Sequence, residues 1–250
     1  MLTEERFRRI LSELEEKGSV TVQELMEQLD ASESTIRRDL NTLAARGSLK
    51  KVHGGEVAKS GNQAARDAQV DLRKQLNRQE KRSIARYAAG LIEDDDFVYV
   101  DAGTTTELLI DFLENREAVY VTNAVSHAKQ LAAKGCRVYL LGGEFKGTTE
   151  AIVGEEAVAS VEKYHFTKGF FGVNGITVEQ GFTTPEVREA MIKRKAMEHT
   201  GERYILADPS KFDAVSAVTF GSFGDAVILT TAEVPKPYKR QKNVREVEEI

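Results

Sequence analysis

Three short segments of the chain carry groups suited to holding an anion. Asp101-Ala102-Gly103-Thr104-Thr105-Thr106 puts a carboxylate, a glycine and three hydroxyls into six consecutive residues. Gly103 lets the backbone come close to a ligand. Amides at a helix start, with the hydroxyls of Thr104, Thr105 and Thr106, can then hold phosphate oxygens. Thr122-Asn123 and Gly142-Gly143 are polar or glycine turns that follow apolar runs. Asp101 and Asp208 can accept hydrogen bonds from ligand hydroxyls, and Lys195 and Lys211 can supply positive charge; Glu186 and Arg188 are weaker candidates nearby. The chemistry these residues support is the binding of a phosphate-like anion. The four histidines show no metal-ligand spacing with acids, and neither a Walker nor a dinucleotide fingerprint is present, so neither metal nor cofactor is expected.

A second constellation lies near the N-terminus. Ser32-Glu33-Ser34-Thr35-Ile36-Arg37-Arg38-Asp39-Leu40 reads as a helix capped by Ser32, with Ile36, Leu40 and Leu43 turned inward. Ser34, Thr35, Arg37, Arg38 and Asn41 are then left for other faces, where hydroxyls and guanidinium groups can meet phosphates or base edges. In the next segment Gly47 suits a helix C-cap, and Leu49 and Val52 can anchor a strand while Lys50, Lys51 and His53 face outward before Gly54-Gly55. From Ser34 to Lys59 six cations stand against two anions, a local balance of +4 in a chain of net charge −5. What attracts nucleic-acid phosphate is this local field.

The elements that must position these groups follow two rhythms. Before residue 60, apolar residues recur at helical spacing: Phe7, Ile10, Leu11, Leu14; Val22, Leu25, Met26, Leu29; Ile36, Leu40, Leu43. Three short helices and a basic hairpin make a winged helix-turn-helix. Afterwards strands and helices alternate. Strands are expected at 97–100, 118–122, 137–141, 168–173, 204–207, 217–220 and 227–229, and helices at 105–113, 125–133 and 185–198. A further helix starts at a capping-box-like Asn77-Arg78-Gln79-Glu80. Such alternation argues for an α/β domain with a mainly parallel sheet, whose binding crevice lies beyond the carboxyl ends of the strands. The three polar turns converge there. The expected division is 1–57 for the winged helix-turn-helix, 58–74 for a linker, 75–234 for the α/β domain and 235–250 for a polar tail.

Hydrophobic content of 41% supports a sizeable core. A single cysteine, Cys136, excludes an internal disulfide and reads as a small buried apolar side chain. The charged start is not a signal peptide, and no apolar run approaches a membrane span, so a cytoplasmic location and no membrane partner are expected.

The motif from Ser32 to Leu40, followed by Leu49-Lys50-Lys51-Val52-His53-Gly54-Gly55, resembles the DeoR family of bacterial sugar-metabolism repressors. Asp101 to Thr106, Thr122-Asn123, Leu141-Gly142-Gly143 and Ala207-Asp208-Pro209-Ser210-Lys211 look like that family's sensor motifs in order. Gly169-Phe170-Phe171-Gly172-Val173-Asn174-Gly175-Ile176 and Gly181-Phe182-Thr183-Thr184-Pro185 look most like its fructose-operon branch, which adds Asn174 and Gly175 to the expected effector set. The resemblance implies a homo-oligomer, dimer or tetramer, that binds double-stranded operator DNA and is released by a phosphorylated sugar, with fructose 1-phosphate expected. It also implies a sensor domain similar to ribose-5-phosphate isomerase. The rival reading is therefore a sugar-phosphate isomerase with a DNA-binding appendage, since Asp, Lys and Glu beside a phosphosugar can transfer protons. A third is an adaptor whose N-terminal helices bind protein. A DNA-binding repressor that is not an enzyme is the reading carried forward.

Overall fold

The computed structural model describes residues 3–17, 19–45, 49–51, 56–59, 73–114 and 116–248. They form two compact units, Met1–Leu76 and Asn77–Ile250.

The first unit runs α1 (Thr3–Lys17), β1 (Ser19–Thr21), α2 (Val22–Leu29), α3 (Glu33–Ala45), β2 (Leu49–Lys51) and β3 (Glu56–Lys59). Phe7, Ile10 and Leu14 of α1, Leu25 and Leu29 of α2, and Ile36, Leu40 and Leu43 of α3 close one small core, with Val20 and Leu49 from the sheet. Thr21 and Glu24 form a reciprocal capping box that starts α2, and Asp30, in the left-handed region, ends it. Only Ala31 and Ser32 separate Asp30 from the start of α3, the tight spacing of a helix-turn-helix. Strand β3 pairs antiparallel with both β1 and β2, making the wing. It extends through the boundary expected at residue 57.

The second unit is built on a seven-stranded sheet in which every pairing is parallel. Its order is β15 (Val244–Glu246), β14 (Val227–Thr230), β12 (Thr200–Leu206), β9 (Phe166–Gly172), β4 (Phe97–Val100), β5 (Val119–Thr122) and β6 (Arg137–Leu140). Alternate residues feed different cores: Val98, Val100 and Phe170 enter one, while Tyr99 and Phe171 enter the other. Helices α4 (Arg78–Ala89), α5 (Thr104–Asp111), α6 (Val125–Ala133), α7 (Glu155–Val161) and α8 (Val187–Glu198) accompany the strands. Beside them stand a hairpin of β7 (Glu144–Lys146) and β8 (Ala151–Val153), and a small antiparallel sheet of β10 (Gly175–Thr177), β11 (Gly181–Thr184) and β13 (Val218–Gly221).

Two expectations need correction. Asn77 adopts a left-handed conformation and makes no side-chain cap on α4; its amide is drawn instead to the Asp208 carboxylate, 2.6 Å away. The stretch expected as a polar tail is part of the fold. It contains α9 (Lys236–Lys239) and the edge strand β15, and it buries Tyr238 and Val247. Its apolar residues are too sparse to show a period, yet Tyr238, Val244 and Val247 pack into the cores.

Candidate functional site

The carboxyl ends of β4, β5, β6, β9, β12 and β14 face one side, because all run in one direction. Asp101 follows β4 and is fully buried. Its Oδ2 accepts from the Gly172 amide at 3.0 Å and is ion-paired with Lys193 of α8, which also donates to the Gly172 carbonyl at 3.1 Å. Its Oδ1 is buried with no hydrogen-bond partner among the described residues. Burial pushes the Asp101 carboxyl up, against the pull of Lys193 and the Gly172 amide.

A second carboxylate, Asp208, follows β12 and is equally buried. Its Oδ1 accepts from Asn77 and from the Ser210 amide at 3.1 Å, while Oδ2 lies 3.6 Å from Lys211 and has no hydrogen-bond partner among the described residues. Burial would raise this carboxyl, but Lys211, Ser210, Lys81 and Asn77 more than offset it and hold it below the usual carboxylate range. Lys81 of α4, itself only 3% exposed, donates to the Thr104 hydroxyl at 3.3 Å. It thereby joins the start of α5 to the Asp208 cluster. Gly103 is extended, and a Cβ there would crowd the Thr106 hydroxyl at 3.1 Å.

The remaining expected residues build the scaffold. Thr105 is buried, and the Thr106 hydroxyl donates back to the carbonyls of Asp101 (2.6 Å) and Gly103 (2.9 Å), which holds the turn. Thr122 accepts from the Ala124 amide at 3.0 Å, and Asn123 accepts from the Ala102 amide at 2.9 Å, tying the β5 turn to the β4 turn. The Gly142 amide donates to Ser160 at 3.3 Å. Gly143 has φ +139°, and a Cβ there would meet Ile152 at 2.9 Å. A Cβ on Gly175 would strike the Ala214 carbonyl, and Asn174 accepts from Thr184 at 3.2 Å. Lys195 does not join the cluster. It turns to Glu198 (2.9 Å) and Glu162 (3.4 Å), because α8 buries Ala190, Ile192, Lys193, Ala196 and Met197 and sends Lys195 to another face. Glu186 caps α8 through the amides of Arg188 and Glu189, and Arg188 pairs with Glu144 at 2.7 Å.

In the first unit Ser32 accepts from the Thr35 amide at 3.4 Å, and its hydroxyl lies within 3.0 Å of those of Ser34 and Thr35. Ser34, Arg37, Arg38 and Asn41 are exposed, and Arg37 pairs with Glu33 one turn back at 2.7 Å. Asp39 points the other way. It is buried and pairs with Arg6 of α1 at 2.6 Å, so one of the two anions in the basic stretch is neutralised inside. Lys50 and Lys51 lie on β2, while His53 falls outside the described residues.

A family model of the DeoR C terminal sensor domain matches residues 76–233, and one of the DeoR-like helix-turn-helix domain matches residues 6–61. The chain belongs to the DeoR family. A Bacillus subtilis protein described as an uncharacterized HTH-type transcriptional regulator FruR is 45% identical over 92% of both chains. The lactose phosphotransferase system repressor of Staphylococcus aureus is 36% identical over 97% of this chain and 95% of its own. Ribose 5-phosphate isomerase A of Methanocaldococcus jannaschii shares 15% identity over 53% of each chain with a TM-score of 0.40. With these relatives and this helix-turn-helix, the DeoR-family chain is a transcriptional regulator and not an enzyme. No helix among the described residues is long and apolar enough to cross a membrane.

Sequence reasoning missed several residues of this DeoR-family site. Lys193 and Lys81 are buried cations beside its carboxylates, and both sit on the inward stripes of their helices, which is the signal that could have found them. Thr230 and Thr231, at the end of β14, are buried with hydroxyls that lack hydrogen-bond partners. Asn77 reaches the site only through its backbone conformation.

Proposed function

We propose that this regulator represses a sugar-utilisation operon and leaves its operator when a phosphorylated sugar binds the second unit. One observation carries the reading. Two buried carboxylates at the carboxyl edge of the sheet, Asp101 and Asp208, each keep one oxygen unfilled, with Lys193, Lys81 and Lys211 beside them. Unfilled carboxylate oxygens suit hydroxyl donors, and buried ammonium groups suit a phosphate. A ligand with both is a sugar phosphate. The effector set is Asp101, Gly103, Thr104, Asp208 and Lys211 with Lys193 and Lys81, held by the scaffold residues above.

Fructose 1-phosphate is the sugar we assign. The resemblance of residues 169–176 and 181–185 to the fructose-operon branch supports it, as does the 45% identity to FruR. Ser32, Ser34, Thr35, Arg37, Arg38 and Asn41 read the operator, and Lys50, Lys51 and His53 hold its backbone. The regulator acts as a dimer or tetramer, because one small module gives too short a readout. An effector that binds the two arrangements unequally, by roughly 1–3 kcal/mol, shifts operator affinity about 5–150-fold.

Thermal-shift screening against a panel of phosphosugars tests this. A ligand at 100 times its Kd adds about 2.7 kcal/mol of stability. Fructose 1-phosphate should stabilise the protein, and Asp208→Ala should abolish the shift. A panel without any stabilising member would contradict the reading, and so would interconversion of ketose and aldose phosphates by the protein.

A further inference from the structure

Lys193 is ion-paired with Asp101. Glu189, four residues earlier on α8 and therefore on the same side of the helix, feels the Lys193 charge at longer range. Glu189 accepts from Lys146 at 2.8 Å and from the Thr149 hydroxyl at 3.0 Å. Lys146 ends β7, and Thr149 lies in the turn that leads to β8, so both belong to the β7–β8 hairpin. The sign of charge thus alternates from Asp101 through Lys193 and Glu189 to Lys146. Glu189 is largely buried, its side chain 15% exposed, and it is the nearer partner of Lys146; Glu186, whose carboxylate caps α8, lies 3.6 Å from the same ammonium. The base of the hairpin is tied to the site as well, through the Ile152 amide, which donates to the Asn123 carbonyl at 2.6 Å.

We propose that Glu189 is a positioning residue that aims Lys193 at the effector and, with the same carboxylate, clasps the β7–β8 hairpin, so that the hairpin senses whether the site is filled. This rests on the phosphosugar reading of the Asp101 edge. An anion at Lys193 cancels part of the positive field that this ammonium puts on Glu189. Glu189 then depends more on Lys146, and the hairpin is held more tightly. The chemistry required of the ligand is a phosphate-bearing anion; a neutral sugar leaves the balance of charges unchanged.

Hydrogen exchange of the amides in 144–153 tests the proposal on the full chain. Without ligand, Glu189→Gln should speed their exchange about tenfold, the loss expected for a charge-assisted hydrogen bond. Fructose 1-phosphate should slow these amides in the wild type and leave them unprotected in Glu189→Gln, although thermal shift still registers ligand on the variant. Glu189→Asp should recover part of the protection. Unchanged exchange in ligand-free Glu189→Gln overturns the clasp. Equal ligand protection in wild type and Glu189→Gln overturns the route through Glu189. Should no phosphosugar stabilise the wild type, the effector reading fails on its own, and the ligand-free arm still decides the clasp. Lys146→Met breaks the same contact from the hairpin side and serves if Glu189→Gln does not fold.

Discussion

The two units place their cations in opposite ways. In the helix-turn-helix, Arg37 and Arg38 are exposed, and Arg37 pairs with Glu33 of its own helix. In the α/β unit, Lys81 and Lys193 are buried, and Lys193 is ion-paired with a buried acid. A long polyanion needs charges that project a field into solvent and can settle onto successive phosphates. A small ligand needs charges that are already desolvated and aimed. The same residue types therefore serve two recognition problems, and the energetic consequence of losing them should differ.

Lys193→Met should give the largest effect. It strands the Asp101 carboxylate in the interior and should cost about 3–5 kcal/mol of stability, read as a fall in Tm. The double variant Lys193→Met/Asp101→Asn should recover most of that loss. A Lys193→Met protein as stable as wild type would erase the contrast between the units.

Arg38→Ala should do the reverse. Its stability should stay within about 0.5 kcal/mol of wild type, while operator affinity falls by roughly 1–3 kcal/mol. If Arg38 meets a phosphate, the slope of log K against log salt should also drop by about one. A large loss of stability in Arg38→Ala would place this arginine in the fold and not at the DNA.

Asp39→Ala sharpens the comparison inside one helix. Asp39 shares α3 with Arg37 and Arg38 but is buried against Arg6, so its loss should cost about 1–3 kcal/mol of stability in the first unit. Urea unfolding measures it. The smallest effect concerns pH. The Asp208 carboxyl is lowered from its ordinary value of 3.8, so its stabilising contribution is complete above that value and disappears as pH falls through the lower folded value. Asp208→Asn should flatten the acid limb of stability below about pH 4, and a limb as steep as wild type would show that Asp208 contributes nothing there.

Much of this architecture was legible in the sequence, for particular reasons. Phe97–Val100 and Val119–Val121 are continuous apolar runs because both faces of the sheet are covered. Asp101 and Asp208 were found because each follows such a run. Strands β7, β8 and β10 have three residues each, too few for any period to show; β8 and β10 are held by pairing and by burying Ile152, Val153 and Ile176. The sequence points to Lys195 and passes over Lys193, although Lys193 lies on the inward stripe of α8, because its acid, Asp101, is remote in the chain. The tail was misjudged because Val244, Arg245 and Glu246 form an edge strand, where polar residues are ordinary.

The central claim is the coupling of the two recognition surfaces. Its most direct test is fluorescence anisotropy of a labelled duplex, selected from random DNA by the full-length protein, titrated with and without saturating fructose 1-phosphate. We predict that operator affinity falls about 5–150-fold with the effector, and that Asp101→Ala binds the duplex normally but no longer responds. Identical affinities in the two titrations, under conditions where thermal shift shows the phosphosugar bound, would contradict the account.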